Sequence, residues 1–114
     1  MRRDDASFLL DMLMAARDAV DFASGLTYDR FVQSRLHQHA IIKAVEIVGE
    51  AAARISNETK EAHADIPWAE IVGMRHRLVH AYFEVNLQRL WDTVHQDLPT
   101  LIAQLEPLVP PEEE

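Results

Sequence analysis

The chain is 114 residues long, has three glycines and no cysteine, and carries a formal net charge of −8. That length suits one domain able to bury roughly two thirds of its unfolded surface, and the missing thiols exclude disulfides and thiolate metal sites and suit a reducing, cytoplasmic setting. The acidic balance excludes a protein that grips nucleic acid by its overall field, so any nucleic-acid site has to be local. No run approaches the roughly 20 apolar residues of a membrane span. The stretch from Phe8 to Ala16, behind Arg2, Arg3, Asp4 and Asp5, is too short and interrupted for a secretion signal.

Apolar periodicity is helical almost throughout and no segment alternates like a strand, which predicts an all-α fold, an up-and-down bundle of four main helices. The first runs from Asp5 to Ala23, with Phe8, Leu9, Met12, Leu13, Ala16, Ala19, Val20 and Ala23 at helical spacing and Gly25 ending it. The second and longest runs from Asp29 to Ile55; Leu36, Ile41, Ala44, Val45, Val48, Ala51, Ala52 and Ile55 form its apolar face, and the alanines imply close helix neighbours. Opposite them lies a polar stripe of Arg35, His39, Glu46 and Glu50, a solvated face unless a carboxylate such as Glu50 pairs with an arginine or orients a histidine elsewhere. Ser56 to Ile66 is a polar connection holding at most one helical turn, and Pro67 suits the first turn of the third helix, which ends near Tyr82. Asn86 is the expected N-cap of the fourth, where Leu87, Trp91, Val94, Leu98, Leu101 and Leu105 repeat at four- and three-residue steps and Pro99 predicts a kink or break. Residues 1–109 read as a single helical domain, and 110–114, ending in Glu112, Glu113 and Glu114 behind Pro110 and Pro111, as an acidic disordered tail.

The chemistry concentrates between Gly73 and Phe83. On an ideal wheel of about 100° per residue, Ile71, Leu78, Val79 and Tyr82 fall within about 60° of Arg75, which puts a permanently charged guanidinium on an apolar face. Such a placement is costly unless an acid, a phosphate or a wet cleft meets the charge. His80 is a natural proton-transfer group, but five residues from Arg75 it points about 140° away on a regular helix. A helix distortion, convergence of long side chains in a groove, or a second subunit has to bring the two together. His76 and His80 have metal-sharing spacing, yet no carboxylate adjoins them and Arg75 and Arg77 flank them, so no metal is expected there. The remaining histidines, His37, His39, His63 and His95, read as packing or surface residues.

Arg75-His76-Arg77-Leu78-Val79-His80-Ala81-Tyr82 resembles the R-x4-H-x-Y signature of the HepT-like toxins in the HEPN superfamily. Glu46 to Ala52 upstream, Ile66 to Met74 leading in, and Leu90 to Val94 with Asp97-Leu98-Pro99 after it extend the likeness over nearly the whole chain. The resemblance implies a HEPN-like bundle and the toxin of a type VII-like toxin–antitoxin pair: a metal-independent, cofactor-free endoribonuclease acting on RNA, not DNA, as a homodimer whose two motifs line one cleft. It implies Arg75 and His80 as catalytic residues, with His76 and Arg77 as substrate contacts, and Tyr82 as the residue that a cognate nucleotidyltransferase antitoxin modifies with AMP; Glu50 of the polar stripe is the candidate supporting carboxylate. His76 stands where the family commonly has a small polar residue, and Ala81 where it commonly has glycine. The first change bears on how the site hydrogen-bonds RNA; the second forbids a glycine-only backbone conformation. The alternatives are a non-catalytic nucleotide- or partner-binding helical dimer, or a structural dimer in which Arg75 is locked in a buried pair with Glu46 or Glu50.

Overall fold

The computed structural model describes residues 3–80 and 84–110. Its frame is two long helices, α1 (Arg3–Ala23) and α3 (Arg35–Arg54), packed along one another. Ala15, Ala16 and Ala19 of α1 and Ala44, Ala51 and Ala52 of α3 are buried, and these short side chains let the two backbones close while Leu9, Met12, Val45 and Val48 complete the core. Gly25, at φ +75°, turns the chain out of α1 as expected, with Leu26 N–H bonded to the Ala23 carbonyl at 3.1 Å.

The long second helix of the sequence reading is divided. Ser34 both ends α2 (Tyr28–Gln33) and caps α3: its hydroxyl accepts from the His37 N–H at 3.3 Å and lies 2.6 Å from His37 Nδ1. Gln38 Nε2 donates to the carbonyls of Phe31, which also accepts from the Ser34 N–H, and of Val32 at 2.9 and 3.0 Å, so the side chain bridges the break. The connection after α3 holds more than one turn, as α4 (Asn57–Ala62) capped by Ser56.

The third helix is also shorter than expected and interrupted. α5 (Trp68–Val72) follows Pro67, Gly73 ends it, and α6 (Met74–Leu78) resumes for five residues. Gly49 of α3 admits α5 closely, since a Cβ there would come within 3.3 Å of the Ile71 carbonyl oxygen. Beyond Leu78 the helix cannot continue because the Leu78 carbonyl accepts from the Asn86 N–H at 2.8 Å. The backbone extends instead: β1 (Val79–His80) pairs antiparallel with β2 (Glu84–Val85), Val79 opposite Val85 and His80 opposite Glu84. The class is all-α, with this two-residue ladder as the extended pairing among the described residues.

Asn86 caps α7 (Leu87–Asp92) as expected, its Oδ1 accepting from the Arg89 N–H at 3.0 Å. The disruption expected from Pro99 appears as a widened π-type turn over Thr93–Asp97, in which Leu98 N–H bonds the Thr93 carbonyl. Pro99 then stands in the first turn of α8 (Leu98–Leu105), where its missing N–H is harmless. No described helix is long and apolar enough to cross a membrane. Residues 111–114 of the expected acidic tail lie outside the described residues.

Candidate functional site

The wheel that puts Arg75 among apolar neighbours assumes one continuous helix, and the break at Gly73 and the end at Leu78 undo it. Met74 and Leu78 turn into the core while the Arg75 side chain is 58% exposed. Its Nε donates to Glu46 Oε1 of α3 at 3.1 Å, and the Glu46 side chain is 23% exposed. An ion pair this open contributes at most about 1 kcal/mol, so it orients the guanidinium more than it stabilises the fold. Only Nε is engaged, which leaves both Nη groups without a partner among the described residues.

The carboxylate that meets Arg75 is thus Glu46, whereas Glu50 is exposed one turn further along α3 and makes no contact with it. Both belong to the same polar stripe, and which of them faces Arg75 depends on how α5 and α6 seat against α3 at Gly49. Arg77 leaves α6 on the other side, its Nη2 donating to the Glu70 carbonyl at 2.7 Å. His76 is exposed, with no partner among the described residues.

His80 sits two residues past the end of α6, in β1, so the ideal-helix angle of about 140° to Arg75 does not apply. The backbone between the two residues is distorted from a regular helix, since α6 ends at Leu78 and Val79–His80 is extended. The His80 side chain and Tyr82 lie outside the described residues. The other histidines do what the bland reading expects: His37 joins the Ser34 cap, the His63 carbonyl accepts from Trp68 Nε1 at 3.0 Å, and the His95 ring stacks on Trp91 at 4.0 Å between centroids. Among the described residues no three metal-ligating side chains converge.

One feature passed over in the sequence is a cleft on the Arg77 side of α6. Two adjoining cavities of about 300 and 210 Å³ share Met74, Arg77 and Asp97, and Arg89 and Thr93 line the smaller. The signal was present: Arg89, Thr93 and Asp97 recur every four residues, one polar line along the fourth predicted helix.

Residues 12–108 match the family model described as "Ribonuclease HepT-like". The chain belongs to the HepT-like ribonuclease family. It is 38% identical over 108 residues to the "Probable ribonuclease HepT" of Thermococcus cleftensis, covering 95% of this chain and 98% of that one. It is 36% identical over 105 residues to "Putative RNase MJ1380" of Methanocaldococcus jannaschii, covering 92% and 96% respectively. No solved structure matches. Membership of the HepT-like family carries an enzyme class with it, endoribonuclease.

Proposed function

We propose that this HepT-like ribonuclease is the toxin of a toxin–antitoxin pair, cutting cytoplasmic RNA without a metal and held silent by AMP transfer to Tyr82 from a partner nucleotidyltransferase. The observation that carries the reading is Arg75, fixed through Nε and open at both Nη groups, on a helix that stops short of His80. In the reaction the ribose 2′ oxygen bonds to the adjacent phosphorus as the bond from phosphorus to the 5′ oxygen breaks. His80 takes the 2′ proton or returns a proton to the departing 5′ oxygen, and Arg75 meets the charge gathering on the phosphate oxygens. His76 and Arg77 extend the contact with the strand, and no cofactor is required.

A homodimer lets one His80 take the proton while the other gives one. Supporting a second copy here, Ile47 beside Glu46 and Val72 next to Gly73 are 37% and 39% exposed, and Leu36, 76% exposed and eleven residues before Ile47, shares its side of α3. The structural rival called for a buried Arg75 pair; the pair with Glu46 is open.

Incubated with RNA in excess chelator, the purified protein is expected to leave 2′,3′-cyclic phosphate and 5′-hydroxyl ends; 3′-hydroxyl ends, or cleavage abolished by the chelator, refute the chemistry. AMP on Tyr82 would add a negatively charged phosphate to the motif, which would compete with the RNA phosphate for the Arg75 guanidinium. With ATP and the partner, intact mass is expected to rise by one AMP in wild type and stay unchanged in Tyr82→Phe. An equal gain in both places the modification elsewhere.

A further inference from the structure

The cleft on the far side of α6 from Arg75 has a chemistry of its own. Its floor is apolar, formed by Ile71 and Met74 against Leu98 and Leu101. At its rim Arg77 is pinned by the Glu70 carbonyl, while the side chains of Arg89 and Asp97 are exposed and hold no partner among the described residues. The π-type turn reshapes the backbone of this wall, and Asp97 closes it. Asp97 only accepts hydrogen bonds, and Arg77 and Arg89 only donate them. A phosphate does not suit this cleft, because Asp65, Glu70 and Asp97 line the larger cavity against the one cation Arg77. A flat, neutral ring does, if it presents donors on one edge and acceptors on the next.

We infer that this cleft is a base-reading subsite for guanine in the RNA strand flanking the cut, an inference that rests on the ribonuclease reading. Guanine's N1–H and N2–H₂ are adjacent donors suited to the two oxygens of Asp97. Its O6 and N7 are the acceptor pair that guanidinium reads, here supplied by Arg77 and Arg89. The apolar floor covers the ring face, and the cavity of about 300 Å³ lies at the small end of the range for ligand sites. Arg75 and Arg77 leave opposite sides of α6, and a helix with its side chains is roughly 10 Å across, so the base read is a neighbour of the reacting nucleotide and not the reacting one.

The test separates binding from cutting. Fluorescence anisotropy is read with single-stranded 2′-O-methyl oligonucleotides, which lack the attacking hydroxyl, carrying one guanine or the same site replaced by adenine, cytosine or uracil. Wild type is expected to favour guanine by about tenfold or more. Asp97→Asn and Arg89→Ala are expected to bring the preference below about twofold, with Asp97→Glu restoring part of it. Both side chains are exposed and Asp97 makes no capping hydrogen bond, so the variants should melt like the parent. Equal binding of the four sequences, no binding of any, or a guanine preference untouched in both variants overturns the subsite. Guanine-selective binding lost in the variants, without cleavage of the unmodified RNA, keeps the subsite and removes the ribonuclease reading instead.

Discussion

Arg75→Ala and His80→Ala are each expected to lower the rate of RNA cleavage by about 10²- to 10⁴-fold, with little change in KM. The range is that of losing one general acid–base or one group that stabilises charge forming only in the transition state. Arg75→Lys should recover little, because lysine keeps the charge but neither the Nε–H that Glu46 holds at 3.1 Å nor the planar fork aimed at phosphate oxygens. If Arg75 acts as proposed, Glu46, bonded to its Nε, is a positioning residue. Glu46→Ala is expected to cost roughly tenfold in kcat, and Glu46→Gln, which still offers an oxygen to Nε, to recover most of it. Single-turnover cleavage of a labelled RNA reads all five variants. The assignment is sunk if His80→Ala cuts within threefold of the parent, and the role of Glu46 if its two variants behave alike.

How far such a site can be read without coordinates depends on which forces fix it. The all-α class, the stop at Gly25 and the cap at Asn86 are local effects of periodicity and turn chemistry, and each was legible. The break at Ser34 was locally encoded too, in a hydroxyl three residues before His37, but an unbroken apolar pattern outweighed it. The end of α6 was not legible, because it depends on a long-range hydrogen bond from Asn86 to the Leu78 carbonyl that periodicity cannot see. With it went the placement of Arg75, since a wheel is valid only while the helix continues. Glu46 and Glu50 are equivalent by pattern; a close approach of α5 at Gly49 separates them. The motif singles out the candidate residues, and tertiary contacts decide which way Arg75 faces.

Asp5→Ala is expected to destabilise the protein by roughly 3–4 kcal/mol, a large share of the roughly 5–15 kcal/mol that holds a domain of this size together. Asp5 is the one buried carboxylate among the described residues, 2% exposed, and lies in the first turn of α1. Its Oδ1 accepts from the Ser56 N–H at 2.9 Å; its Oδ2 accepts from Ser56 Oγ at 2.6 Å and from Thr59 Oγ1 at 2.7 Å. Ser56 in turn caps α4, its hydroxyl accepting from the Thr59 N–H, so one side chain joins the start of α1 to the turn that leaves α3. Alanine would strand up to three donors in a site with little water to replace the acid, and those stranded donors, more than the lost attraction, set the size of the effect. Asparagine keeps one acceptor and brings an amide that faces hydroxyl donors, so Asp5→Asn should cost about half as much. Urea unfolding at neutral pH, compared at equal slope, measures both losses. Because the clip is remote in the chain from the Arg75 motif, folded Asp5→Asn protein should cut RNA at the parental rate. A loss below 1 kcal/mol in Asp5→Ala would mean that Ser56 and Thr59 find other partners and that α4 is held by its own cap alone.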